Sequence, residues 1–290
     1  MTQDQTGRRA GQGKKAGALV KTVLLFALLL LYMAPFFLVV INAFKSNGAI
    51  LKSPLALVDP KGVTLDNFTK AFERMDFLRS FANSLLVTVV SVALIVLISS
   101  MTAWFFVRYD WKFNKLFFGA MIAAMIVPFQ VIMIPLVSIY GGTLHMLGNP
   151  YTLIAMNVGF GVSMAVFIYH GFIRSGIPLS LEEAATLDGC SRLQAFFRVV
   201  FPLMKPTTAT IVVLDVLWVW NDYLLPSLIL SNNKSAYTLP LSTYSFYGAY
   251  TVDYGAIMAA LCLTALPVIL LYVFLQRQII SGVISGAVKA

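Results

Sequence analysis

Six long apolar stretches constrain this chain more than any other feature of its sequence. Each is 20–25 residues long, and an α-helix needs about 20 residues to cross the hydrocarbon core of a bilayer. Five of them hold no Asp, Glu, Lys or Arg, and none of the six shows the apolar–polar alternation of barrel strands. The stretches are 22–44, 85–107, 116–140, 151–172, 207–230 and 256–275. The sequence therefore predicts an all-α, polytopic membrane bundle with six transmembrane helices.

The composition excludes several other classes of protein. Of the 290 residues, 59% are hydrophobic and 11% are charged, whereas a soluble domain carries roughly 25% charged residues. The two Cys residues form no CxxC pair and there are two His, so we expect no metal, no cofactor and no catalytic residues. An ion channel is an alternative class, but no filter sequence is evident. The net charge is +9, but in a membrane protein the positions of the basic residues are more informative than their sum. We expect no nucleic-acid partner.

The basic residues predict the orientation of the bundle. With the N-terminus placed in the cytoplasm, the inside segments hold 14 Lys and Arg and the outside segments hold 7. This bias follows the positive-inside rule and places both termini in the cytoplasm, with 1–21 as a cytoplasmic tail. The outside loop 45–84 holds six of its side's seven basic residues. In that loop Asp66 begins a predicted amphipathic helix, which lies either on the membrane, on a partner or on its own bundle.

The inside loop 173–206 is long enough to hold helices of its own. Ser180 followed by Glu183 has the spacing of a capping box, and Gly189 is placed to end the helix. Ser191 can cap a second helix over Leu193–Val200. This helix–turn–helix either fits a groove on a soluble partner or forms an ordinary interfacial connector, and spacing alone leaves both open.

Residues in this loop carry a resemblance to a known family. Glu183-Ala184-Ala185, three residues, Gly189, nine residues and Val199-Val200-Phe201-Pro202 resemble the EAA loop of ABC importer permeases. Val199 and Phe201 depart from that pattern, apolar for apolar. The segments 127–130 and 220–226 and the C-terminal tail are similar to the carbohydrate, maltose-permease-like branch.

The resemblance implies a fold, a function and partners. It implies that 22–290 forms a type I ABC importer permease fold in a bacterial or archaeal inner membrane. It implies a second homologous permease, a cytoplasmic ABC ATPase dimer, an external sugar-binding protein and a sugar substrate, with a polyamine or phosphate as the alternative. The chain has no Gly-x-x-x-x-Gly-Lys-Ser/Thr loop, so we expect no enzymatic activity here and ATP hydrolysis by a separate chain. The resemblance places ATPase coupling on Glu182, Glu183, Ala184, Ala185, Leu187 and Gly189.

Polar residues inside the predicted spans are candidates for a substrate path. Acidic residues are costly in a span and face a bundle interior, a partner or water. Asp215 and Asp222 are seven residues apart, which predicts one helix face, with Trp218 and Asn221 near it. For Asp222 the alternative is a pairing with solvent or a neighbouring helix, and for Asp215 it is a structural pair or a permease contact. For Gln130 and Asn157 the alternative is an interhelical hydrogen bond. The candidates are Trp218, Asn221, Asp222, Asp215, Gln130 and Asn157.

Overall fold

Helices make up most of the part of the chain that the structure describes. The computed structural model describes residues 4–59, 62–246 and 252–287. No strand lies in these ranges, so the predicted all-α class is confirmed. The helices are α1 (Asp4–Ala43), α2 (Asn47–Lys52), α3 (Asp66–Arg74), α4 (Phe77–Arg108), α5 (Lys112–Ala124), α6 (Phe129–Val137), α7 (Pro150–Gly176), α8 (Ser180–Leu187), α9 (Arg192–Ala195), α10 (Phe201–Leu203), α11 (Lys205–Asn221), α12 (Leu224–Leu230), α13 (Leu239–Ser242) and α14 (Tyr254–Ala287).

Several of these helices are long and apolar enough to cross a membrane. Leu19–Ala43 within α1, together with α4 and α7, meets that requirement without a break. Two bent pairs meet it together, Lys112–Ala124 with Phe129–Thr143 and Arg192–Leu203 with Lys205–Asn221. The sixth predicted span, 256–275, lies on α14, where the apolar stretch Tyr254–Leu270 is shorter. Some side chains of that span, and those of the tail beyond Gln276, lie outside the described residues. The chain is a multi-pass membrane protein.

The third and fifth predicted spans are broken helices rather than continuous ones. The two limbs of the third span meet at 97°, and Pro128 stands in extended conformation just before the second limb. In the fifth span α11 ends at Asn221, and Asp222 is extended. Pro226 explains this second break, because its ring would collide with the Asp222 carbonyl in a continuous helix.

One compact unit consists of the described residues up to Ala71 and those within 246–263. The buried Asn67 at the start of α3 donates from Nδ2 to the carbonyls of Ala43 (2.9 Å) and Lys45 (2.8 Å). Lys45 is itself buried, and its ammonium group donates to Asn42 Oδ1 at 3.0 Å. The predicted amphipathic helix is therefore packed on its own chain, through Asn67 and Ala71.

The second unit, Phe72–Ser245 with the described part of 264–290, contains the close packing of α4 against α7. Ser99 Oγ of α4 donates to the Val162 carbonyl of α7 at 3.3 Å. An ideal Cβ on Gly161 would lie 2.6 Å from Ile95 Cδ1, so the two helices approach at a position that only glycine fits without a shift. Small side chains permit this kind of close helix approach in membranes. The buried small polar residues of α4 are Ser80, Ser84, Thr88, Ser91, Ser99 and Ser100.

Candidate functional site

The helix α8 carries the predicted coupling residues, and it begins differently from the prediction. Ser180 is its first residue rather than its cap, because Leu179 already has helical backbone angles. The Glu182 and Glu183 amides both donate to the Leu179 carbonyl, at 2.9 and 3.1 Å. The predicted capping box at Ser180 and Glu183 is therefore wrong.

The predicted second helix does begin with a cap. The Ser191 amide donates to Gln194 Oε1 at 2.8 Å, and the Gln194 amide donates to Ser191 Oγ at 3.4 Å. This reciprocal pair is a capping box at the start of α9. The predicted cap at Ser191 is confirmed, although the helix continues as a π-helical turn over Phe196–Val200.

Gly189 ends α8 as the sequence predicts. Its φ is +85°, a conformation that residues with a Cβ rarely adopt. The Gly189 amide donates to the Thr186 carbonyl at 3.0 Å, and the Cys190 amide donates to the Ala185 carbonyl at 2.9 Å. These two bonds are those of the Schellman motif. No atom lies within 4 Å of an ideal Cβ, so backbone conformation rather than space requires glycine here.

The two faces of α8 have different surroundings. Glu182 and Ala185 face inward and are each 8% exposed. Glu183, Ala184 and Leu187 are exposed, and Leu187 is 90% exposed despite its apolar side chain. The structure thus divides the predicted coupling residues into an inward pair and an outward set.

The carboxylate of Glu182 is fully engaged within the chain. Arg108 Nε at the end of α4 donates to Glu182 Oε1 at 2.7 Å, forming a largely buried ion pair. Trp104 Nε1, one turn earlier in α4, donates to Glu182 Oε2 at 2.8 Å. Both oxygens of Glu182 thus bind donors from α4, and its predicted role in ATPase coupling stays a prediction.

Further contacts join α4 to both arms of the helix–turn–helix. A second nitrogen of Arg108 donates to the Ile177 carbonyl at 2.8 Å, just before α8. Arg192, the first residue of α9, donates to the Tyr109 hydroxyl at 2.6 Å. Sequence reasoning missed Trp104, Arg108, Tyr109 and Arg192. The four-residue spacing of Trp104 and Arg108 places them on one helix face, but nothing in the sequence reveals their partner.

The polar residues of the fifth span do not form one helix face. Asp222 lies beyond the end of α11, so the predicted common face with Asp215 is wrong. Asp222 Oδ1 accepts from the amides of Leu224 (3.0 Å) and Leu225 (3.4 Å) and caps the break before α12. Asn221 Nδ2 donates to the Leu217 carbonyl at 2.7 Å in its own helix.

The other candidate path residues lie in separate environments. Asp215 is 8% exposed, and its Oδ2 has no hydrogen-bond partner among the described residues. Asn157 is 2% exposed on α7, whereas Gln130 at the start of α6 is exposed. Trp218 is 40% exposed. Within the described ranges, no hydrogen bond joins any two of the six candidate side chains.

Comparison with known proteins identifies the family. Residues 95–285 match the family model described as "Binding-protein-dependent transport system inner membrane component". A probable starch degradation products transport system permease protein, AmyC of Thermoanaerobacterium thermosulfurigenes, is 41% identical over 92% of this chain and 96% of its own. The melibiose/raffinose/stachyose import permease protein MelC of Bacillus subtilis (strain 168) is 33% identical over 89% of this chain and 92% of its own.

A solved structure shares the fold. The crystal structure of a bacterial ABC transporter involved in the import of the acidic polysaccharide alginate aligns with a TM-score of 0.76 at 19% identity. The alignment covers 91% of this chain and 97% of that one. The predicted resemblance to carbohydrate ABC importer permeases is confirmed, and the ABC importer permease fold is confirmed with it. The chain belongs to the family of binding-protein-dependent transport system inner membrane components.

Proposed function

We propose that this chain is the permease subunit of an ATP-driven importer for a sugar or oligosaccharide. With a second, homologous permease it forms the path through the membrane. An external solute-binding protein delivers the substrate, and a pair of cytoplasmic ATPases supplies the energy. The chain itself hydrolyses nothing.

The exposed face of α8 is the observation that carries the coupling role. Leu187 and Leu179 are both exposed and line one groove beside α8. Exposed apolar side chains grouped in this way are typical of a surface that a partner covers. Ala184 is small, so the helix can seat closely against a partner, and Glu183 adds an outward charge. Gly189 turns the chain sharply after Leu187, which leaves the end of the helix accessible. This face is the surface that we assign to the ATPase.

The relatives support a carbohydrate as the substrate. The names of AmyC and MelC refer to starch degradation products and to melibiose, raffinose and stachyose. Both align over most of this chain, so the support covers the spans and not only the EAA loop. A polyamine or phosphate remains the alternative substrate, because the EAA loop by itself is shared among importers.

The distribution of basic residues supports a location for the chain. The excess of Lys and Arg on the side of α8 supports a cytoplasmic position for α8 and for both termini. The membrane is then the inner membrane of a bacterium or archaeon. In this orientation the α8 face meets cytoplasmic ATPases directly.

The break between α11 and α12 is the segment that we assign to the path. Trp218 and Asn221 are exposed in the isolated chain, so a second permease or a substrate can contact them. Asp222 accepts hydrogen bonds from backbone amides at the break. We therefore assign it a role in stabilising the backbone of the path and not in binding the sugar. Non-helical backbone in a membrane occurs where it lines a cavity or is buried in protein.

Uptake by ATP-loaded, right-side-out membrane vesicles tests the proposal. The vesicles carry the chain with its co-expressed partners, and radiolabelled maltotriose, spermidine and phosphate are supplied separately with the binding protein. We expect ATP-dependent accumulation of the oligosaccharide and none with a non-hydrolysable ATP analogue. Deletion of 180–190 serves as the uncoupled control. Accumulation of spermidine or phosphate alone contradicts the sugar assignment, and uptake without ATP hydrolysis contradicts the importer class.

A further inference from the structure

Side-chain hydrogen bonds join the C-terminal end of α4 to α8, although the two helices are far apart in the sequence. Glu182 and Arg108 are 74 residues apart in sequence, and Glu182 and Trp104 are 78 apart. The Arg108 and Glu182 side chains are 12% and 10% exposed. Water therefore competes little for these bonds, and their geometry holds the axis of α8 against α4.

The same end of α4 also holds the second arm of the loop. Arg192 donates to the Tyr109 hydroxyl and lies over the Tyr109 ring, with 5.6 Å from its guanidinium carbon to the ring centroid. The Trp104 ring packs on Phe196 at a centroid distance of 5.2 Å. Both arms of the helix–turn–helix are thus attached at the C-terminal end of α4, through Trp104 and Arg108 and through Tyr109, which directly follows the helix.

The route from this attachment into the bundle is stiff. Ile95 of α4 packs beside Gly161 of α7, so a movement of α4 at this position requires the buried Ile95 side chain to repack. By contrast, the loop joins α11 through a 75° bend between Arg192–Leu203 and Lys205–Asn221. A displacement of α8 therefore has a side-chain route into α4 that is separate from the route along the chain into α11.

We propose that Trp104, Arg108 and Glu182 form a rigid link that transmits the displacement of α8 to α4. In this role Glu182 is a positioning residue that never contacts the ATPase, although it belongs to the motif region. The neighbouring Glu183 faces outward and takes the partner contact. The link rests on the proposed coupling function of α8 and adds the path by which that motion enters the membrane.

Spin-label distances test the link without relying on uptake. Labels are attached at Asp188→Cys, just after α8, and at Leu97→Cys on the exposed side of α4, with Cys190→Ser and Cys262→Ser as background. The purified permease is expected to give a narrow distance distribution. Glu182→Gln leaves one of the two donors without an acceptor, and we expect this variant to broaden the distribution. Glu183→Gln is the matched control and is expected to leave it unchanged. A narrow distribution in Glu182→Gln overturns the link.

Transport by the assembled complex gives the second readout. We expect Glu182→Gln to retain the ATPase on co-purification but to lower solute imported per ATP hydrolysed by about two- to thirtyfold. Trp104→Phe lowers the same ratio, and the double variant is no worse than Glu182→Gln, because both act through one contact. Loss of ATPase binding in Glu182→Gln with retention in Glu183→Gln overturns the proposal. If the wild-type chain binds no ATPase, the proposed function fails, while the label distances still decide the link.

Discussion

At the scale of single residues, Gly189 shows where sequence and structure agree. A glycine just after an apolar helical segment predicts that the helix ends there with a residue in the left-handed conformation. The observed φ of +85° at Gly189 is that conformation. The prediction succeeds because it depends on local backbone conformation alone.

Substitution at Gly189 separates conformation from packing. Gly189→Ala places a Cβ in the left-handed region at a cost of about 1–2 kcal/mol, and we expect reduced ATP-driven uptake with normal membrane insertion. Gly189→Asn is the control, since asparagine tolerates this conformation better, and we expect it to retain more uptake. Equal uptake by the two variants contradicts a conformational requirement at this position.

Glu182 shows where sequence reasoning stops at this scale. Two adjacent glutamates point about 100° apart around a helix, so they can have different surroundings, but the sequence does not say that Glu182 is the one that turns inward. The choice depends on Arg108 and Trp104, which come from another helix far away in the chain. No local pattern carries that information.

At the scale of helices, hydropathy predicts which segments are embedded but not how they bend. The stretch 116–140 is apolar throughout, yet its two limbs meet at 97° beside Pro128. The stretch 207–230 divides at Asp222, and the predicted face shared by Asp215 and Asp222 is lost with the continuous helix. A hydropathy window averages the apolar character of its residues, so it does not predict where a proline ring collides with a backbone carbonyl and breaks the helix.

Asp222 tests the function of the second break. Asp222→Ala removes the oxygen that caps α12 and is expected to cost about 0.5–2 kcal/mol and to lower uptake. Asp222→Asn keeps an acceptor for the Leu224 and Leu225 amides while removing the charge, so we expect uptake close to that of the wild type. Uptake kinetics of both variants decide between the roles. A severe defect in Asp222→Asn contradicts the capping role and favours a charge in the path.

The α4–α7 contact yields a paired test of close helix packing. Gly161→Ala brings a Cβ toward Ile95 Cδ1, and overpacking of this kind costs about 1–3 kcal/mol. Ile95→Val removes that methyl group, so we expect the double variant to recover part of the lost thermal stability. Unfolding temperatures in detergent measure the effect. A double variant less stable than Gly161→Ala contradicts the contact.

At the scale of the whole molecule, composition and hydropathy already predict a helical membrane protein, and one loop motif predicts the family. Both predictions depend on features repeated along the sequence or on fixed spacing. The partners, the substrate and the attachment of the coupling loop depend on surfaces formed only after folding. The contacts of Glu182 with Trp104 and Arg108 connect the motif to the helical bundle, and we propose that the motif moves this bundle through them.

Photo-crosslinking from single positions in native membranes tests the central claim most directly. A photoreactive residue replaces Leu187 on the exposed face of α8. In a control it replaces Tyr151, which is 68% exposed and lies at the N-terminal end of α7, whereas α8 follows the C-terminal end. We predict that position 187 captures a nucleotide-hydrolysing protein and that position 151 does not. Failure to capture such a protein at 187, or equal capture at both positions, contradicts the account.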